Sequence, residues 1–187
     1  MSCERIETKR LILRRLRESD LNDFYHYSSK PENSLMMTWQ PNSTREAALE
    51  VLRKLMTPAN WAIEHREEEV MIGTVSLISS SRSNNPKLLE LGYILSNEYW
   101  GEGLMQEAIR ALLDRAFECD LAETIIAVIR VDNTRSLNTV AAMGFQDGGI
   151  IRDFIVDRTD GKPRSARVYS MRKQEWQDLR DTNNRRF

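Results

Sequence analysis

The sequence predicts an α+β fold: one mixed sheet, mostly antiparallel and flanked by helices, parallel only across a βαβ crossover. Three observations carry this. Leu88–Leu95 is a near-continuous apolar run, the pattern of a strand covered on both faces. It turns through Ser96-Asn97-Glu98 into a helix whose apolar positions Met105, Ile109, Leu112, Leu113 and Ala116 recur at helical spacing. Residues 124–131, TIIAVIRV, are β-branched and unalternating, as in a buried parallel strand, so strand, helix and strand make a right-handed crossover. Residues 61–65 with 70–78, and 150–157 with 166–172, read as two antiparallel pairs joined by short turns. Two parallel strands that diverge would leave a slot between them for an extended ligand.

The remaining elements follow in order. Residues 10–17, RLILRRLR, alternate as a first strand with Leu11 and Leu13 on one face. Ser19 reads as the N-cap of a helix running to about Ser29, with an aromatic face of Phe24, Tyr25 and Tyr27 and a break at Pro31. Ser43 and Glu46 have capping-box spacing, so a second helix starts near Ser43, turns Ala47, Val51, Leu52 and Leu55 inward, and closes at Pro58. Residues 79–86, SSSRSNNP, form an exposed loop. Asn133 to Ser136 opens a short helix ending at Gly144, and residues 173–182 finish as a polar helix with Trp176 and Leu179 inward. No repeat or linker divides the chain, so residues 1–187 are expected to form a single domain.

The turn after the central strand has its own chemistry. Gly101 and Gly103 precede the helix, so bare N–H groups and the positive helix end face whatever approaches. A phosphate fits there, because glycine removes the β-carbon that would hold it off. The spacing is neither G-x-G-x-x-G nor a P-loop, which argues against redox-cofactor and nucleotide-hydrolase readings.

Composition excludes several classes. A formal net charge of −1 makes the whole chain a poor partner for nucleic acid, and the basic stretches 9–17 and 180–186 fit solvated faces. The two cysteines, Cys3 and Cys119, make neither a zinc site nor a disulfide framework, so no metal is expected. No apolar run reaches membrane length and the N-terminus lacks a signal peptide's apolar region, which predicts a cytoplasmic protein with no membrane partner.

Four motifs in order make the pattern specific: Glu90-Leu91-Gly92-Tyr93, Tyr99-Trp100-Gly101-Glu102-Gly103, Asn133-x-x-Ser136, and Met143-Gly144-Phe145. They resemble the GNAT acetyltransferases, and the flanking Glu7-Thr8-Lys9-Arg10-Leu11 and Tyr169-Ser170-Met171-Arg172 resemble the branch of the Rim-type ribosomal-protein N-terminal acetyltransferases. The likeness spans roughly residues 7–176. It implies acetyl-coenzyme A as donor, its pyrophosphate on backbone N–H groups of Trp100, Gly101, Glu102, Gly103, Leu104, Met105 and Gln106. Its pantetheine arm would lie along Ile94 and Leu95, near Asn133 and Ser136. Read locally instead, Asn133 sits in a turn and Ser136 caps a helix.

An amine is mostly protonated near pH 7, so acyl transfer needs a proton acceptor, and the leaving thiolate can use a donor. Glu90 is the candidate base, with an ion-paired strand residue as the plain alternative, and Ser136 the candidate donor. Met36, Met37 and Trp39 are where this branch builds one acceptor wall, and Phe154 and Tyr169 offer the other, though such clusters are commonly core. Departures from the family pattern are the bulky Met105, Val140 where many members carry a tyrosine, and Ile155 where some carry a glutamate. The resemblance favours the α-amine of a protein or peptide as acceptor. A small amine such as an antibiotic or polyamine, or a CoA-binding regulator without catalysis, are the alternatives, and the chain is expected as a monomer or homodimer.

Overall fold

The computed structural model describes residues 5–36, 40–157 and 160–184. Its strands are β1 (Arg5–Glu7), β2 (Leu11–Arg14), β3 (Asn60–His65), β4 (Val70–Ser79), β5 (Leu88–Leu95), β6 (Thr124–Arg130), β7 (Gln146–Val156) and β8 (Pro163–Arg172). They form one sheet in the order β1-β2-β3-β4-β5-β6-β8-β7. Every neighbouring pair is antiparallel except β5 and β6, which α4 (Leu104–Glu118) connects. The predicted mixed sheet with one parallel crossover is thus the observed one.

Each face of the sheet has its own core. On one, Leu91 and Leu95 of β5 pack with Ile109, Leu113 and Phe117 of α4 and with Trp176 of α6 (Lys173–Asn184). On the other, Phe24 and Tyr27 of α1 (Leu21–Ser28) and Ala48 and Leu52 of α3 (Arg45–Leu55) cover Ala62, Met71 and part of Ile94. Side chains alternate along a strand, so Glu90, Gly92 and Ile94 share the α1/α3 face, while Leu91, Tyr93 and Leu95 share the α4 face. Burial of eight α4 side chains, each large one contributing about 1.5–3 kcal/mol, fixes the helix that begins at the glycine turn.

Several local expectations are corrected. The expected strand 10–17 is the shorter β2, ending at Arg14 rather than Arg17, and β1 precedes it as a separate strand. Arg14 turns there to grip the buried Asp20 through both terminal guanidinium nitrogens, at 2.9 and 2.8 Å. Asp20 also accepts from the Arg17 backbone N–H, so residues 18–20 form a 3-10 turn and α1 starts at Leu21 without a Ser19 cap. Thr44, not Ser43, caps α3, its hydroxyl accepting from Ala47 N–H at 3.1 Å. That one-residue shift turns the helix by about 100°, burying Ala48 in place of Ala47 and leaving Val51 36% exposed. A four-residue helix, α2 (Pro31–Ser34), follows α1, with proline at its start, where its missing N–H costs nothing. Short α5 (Thr134–Ala142) follows β6.

The central strand departs most usefully. It is half-buried rather than covered on both faces, because β6 pairs with it only at Leu88↔Thr124, Leu89↔Ile125 and Glu90↔Ile126. Beyond Glu90 the two strands part.

Candidate active site

The parting strands open a cavity of about 300 Å³ that runs through the sheet from the α4–α5 side to α2. Ser80 N–H donates to Leu88 C=O and Ser96 N–H to Ile72 C=O. Antiparallel bonding alternates, so the even-numbered residues of β5 bond to β4 and the odd ones face the gap. Tyr93 and Leu95 therefore present backbone groups toward β6 where no strand pairs with them. The Leu95 carbonyl is taken by the Trp100 indole N–H at 2.8 Å, and among the described residues nothing pairs with the Leu95 N–H or either Tyr93 group. Ile94 lines the cavity but turns its backbone to β4, so of Ile94 and Leu95 only Leu95 has a backbone edge toward the gap.

At the mouth, Gly101 and Gly103 have φ of 89° and 76°, a region costly for other residues. Gly103 is the N-cap of α4 and no side chain caps the helix, so its first-turn N–H groups stay open. The loop is braced from behind. Arg10 donates from Nη1 to Glu102 C=O at 3.0 Å and from Nε and its backbone N to Glu107 at 2.8 Å each; Thr8 donates to the same carboxylate at 2.6 Å. Burial alone would raise the Glu107 pKa, but these Thr8 and Arg10 hydrogen bonds outweigh it and hold the carboxyl below its ordinary value. The loop's start is also tied down. The buried Asn33 accepts from Asn97 N–H and donates to Tyr27 C=O, both at 2.9 Å. Lys30 and then His26 bond Glu98 and lower its pKa to about 2.

The opposite wall is α5. The Asn133 side-chain oxygen caps it, accepting from Ser136 N–H at 3.2 Å, which leaves the Asn133 amide N–H₂ free to donate. The Arg135 guanidinium lies 3.3 Å from the Trp100 ring centroid, a cation beside the open N–H groups. The Tyr93 phenol donates to Ser136 C=O at 3.2 Å, and burial raises its pKa to about 12. An anion-binding helix start leading to an unpaired strand edge suits a long ligand with a phosphate end and an amide-bearing arm.

The model of the acetyltransferase (GNAT) domain matches residues 10–146, most of the chain. The chain belongs to the GNAT acetyltransferases. It is 27% identical over 179 residues to the uncharacterised N-acetyltransferase p20 of Bacillus licheniformis, covering 92% of this chain and 98% of that one. Two solved structures share the fold. A ribosomal-protein-S5-alanine acetyltransferase from Vibrio fischeri superimposes with a TM-score of 0.74 at 22% identity, over 92% of this chain and 98% of that chain. The microcin C7 self-immunity acetyltransferase MccE, solved with acetyl-CoA and AMP, does so at 0.77 and 18% identity, over 88% and 93%. GNAT acetyltransferases take the acetyl group from acetyl-CoA, and the residues here fit it: open N–H groups for the pyrophosphate and an unpaired strand edge for pantetheine.

Of the residues singled out in this GNAT sequence, Ile94, Leu95, Trp100, Gly101, Gly103, Leu104, Met105, Gln106, Asn133 and Ser136 line the cavity. Glu102 does not; it takes part through its carbonyl, held by Arg10. The bulk of Met105 is absorbed by the α4-side core, where it is 8% exposed. Glu90 stands at the fork on the α1/α3 face, 3.6 Å from Arg82, both about a quarter exposed. Tyr169 is corrected as an acceptor wall: 8% exposed, it packs in the α4-side core. Phe154 stays at the surface under the Arg82 guanidinium, 4.1 Å from its ring centroid, outside the cavity. Met37 and Trp39 lie outside the described residues; Met36 lines the cavity. Val140 is buried core, and Asp157 is buried against Arg130 at 2.9 Å. Sequence reasoning missed Glu32, Asn33, Tyr99 and Arg135 as lining residues, and the role of Tyr93 as the strand edge. Tyr93 and Tyr99 sit in the quoted motifs and Arg135 lies between Asn133 and Ser136, so these three had a signal in their position; Glu32 and Asn33 had none.

Proposed function

We propose that this acetyltransferase moves the acetyl group of acetyl-CoA onto a primary α-amine, with a peptide or protein N-terminus as the leading acceptor. The observation that carries the reading is the gap after Glu90↔Ile126: it opens the cavity lined by the glycine turn, and Glu90 stands at the closed end of the fork, outside that lining. The Vibrio fischeri neighbour, named for acetylating a ribosomal protein's alanine, supports the peptide acceptor.

In this reading the amine nitrogen attacks the thioester carbonyl carbon from the α1/α3 face. The nitrogen–carbon bond forms, the carbon–sulfur bond breaks, and Glu90 takes the ammonium proton directly or through water. The Leu95 N–H, free in the gap, polarises the carbonyl as an oxyanion donor. The Ser136 hydroxyl, on the opposite wall, gives a proton to the departing thiolate. Asn133 donates its free amide to the pantetheine arm, and Arg135 adds charge beside the phosphates. The test is release of free thiol from acetyl-CoA with a panel of amines and N-terminal peptides. Turnover with α-amines above the hydrolysis background supports the reading; thiol release with none of them defeats it.

A further inference from the structure

The acceptor face carries a cluster that the transfer chemistry does not use. Arg82, from the loop between β4 and β5, holds its guanidinium carbon over Phe154 of β7, 4.1 Å from the ring centroid. Its Nε is 3.6 Å from the Glu90 carboxylate, longer than the roughly 2.7–2.9 Å of a well-made charged hydrogen bond. The loop is not a loose tether. Ser80, 5% exposed, donates its N–H to Leu88 C=O, accepts Arg82 N–H on its hydroxyl and accepts Ser83 N–H on its carbonyl. A cation–π contact restrains the guanidinium, whose fork of N–H donors suits a planar carboxylate. Beside Glu90 on the same face, Gly92 has no side chain, and the Ser76 hydroxyl fills the space above it, donating to Gly92 C=O at 3.3 Å.

Building on the transferase reading, we infer that Arg82 and Glu90 form a docking pair for an acceptor that carries a carboxylate close to its amine. The carboxylate takes the Arg82 edge and the ammonium takes Glu90, so a zwitterion replaces a loose internal ion pair with two ligand contacts and desolvates neither charge alone. Phe154 and Ile126, 8% exposed and paired with Glu90 across the fork, supply an apolar border. The pair places the amine at the candidate base, next to where the strands part. Two sources offer this chemistry: a free α-amino acid, or a peptide whose second residue is acidic.

The experiment compares kcat/KM, by thiol release from acetyl-CoA, for phenylalanine against phenylalaninamide, and for Ala-Asp-initiated against Ala-Asn-initiated peptides. A carboxylate preference of roughly ten- to hundredfold is expected in one arm, the size of a charged hydrogen bond, and the arm that shows it names the source. Arg82→Ala collapses that ratio to about one, Arg82→Lys restores part of it, and Glu90→Gln lowers kcat while keeping the preference. Melting curves confirm that the loop variants fold. If amides and esters work as well as the acids, or if Arg82→Ala slows both members of a pair equally, the inference is wrong while the transferase reading stands. If no amine releases thiol, the transferase reading itself has failed.

Discussion

The two ends of the slot are held by different means. At the donor end, backbone makes the contacts: two left-handed glycines, an uncapped helix start and an unpaired strand edge, all clamped by Arg10, Glu107 and Asn33. At the proposed acceptor end, side chains stand at the surface beyond the cavity lining: Glu90, Arg82 and Phe154, joined by one long ion pair and one cation–π contact. Backbone contacts read a ligand shared by a whole family, whereas exposed side chains can be exchanged without disturbing the sheet. A fold that keeps one donor and varies the acceptor is expected to divide the labour this way.

The sharpest way to break this contrast is at the donor turn. Gly103→Val forces a β-branched residue into φ 76°, with its Cβ toward Gln106 and the Arg10 brace, and so distorts the turn that leaves the helix-start N–H groups open. The melting temperature of the wild type should rise with acetyl-CoA, because the ligand binds only the folded state, and the variant should lose that rise entirely. A variant that still responds would put the pyrophosphate elsewhere.

At the other end, Glu90→Gln should lower kcat by roughly 10²–10⁴ near neutral pH and leave donor affinity nearly unchanged. The deficit should shrink at high pH, where more amine arrives deprotonated. A flat pH–rate comparison would return proton removal to water.

Arg10→Ala tests whether the brace matters to the donor alone. It should raise the acetyl-CoA KM several-fold, about the effect of losing one charged contact, with little change in acceptor KM; equal changes in both would blur the two ends. Ser136→Ala should cost less still, only a modest fraction of kcat, since thiolate leaves readily and water can protonate it.

The smallest effect concerns stability. Glu107 is held below its unfolded pKa of about 4.3, so its stabilising contribution is complete above that value and is lost as pH falls through the lower folded one. Urea titrations should find Glu107→Gln less stable than wild type at pH 7, with the gap closing below about pH 4. A gap that widened on acidification would show the sign to be wrong.

The donor end was legible in the sequence because its signals are local. The change from a strand run to helical spacing located the turn, and Gly101 and Gly103 fell where left-handed backbone was needed. Cap position failed by one residue at α3 because Ser43 and Thr44 are both good caps, and only packing of Ala48 and Leu52 decides between them. Asn33 could not be found, since its work depends on a contact with Asn97, sixty-four positions away. The acceptor end was legible only in part for the same reason. Glu90 was visible on its strand, but Arg82 reads as one charge in a polar loop until the sheet brings Phe154 beneath it. Tyr169 looked like a pocket aromatic because alternation says which residues share a face, not which face a neighbouring helix has covered.

The three-pair ladder between β5 and β6 also divides the sheet mechanically. Strands β1 to β5 form one plate and β6, β8 and β7 another, riveted at one end of a seam and open at the other. A pantetheine arm bonded to Tyr93 and Leu95 would act as a missing strand and close that seam. The amide hydrogens of those two residues should therefore exchange with solvent rapidly in the free protein and slow when donor binds, while those of Leu89 and Leu91 hardly change. Release of the spent cofactor would then loosen the plates together with the site, so turnover and the breathing of the sheet would share one hinge.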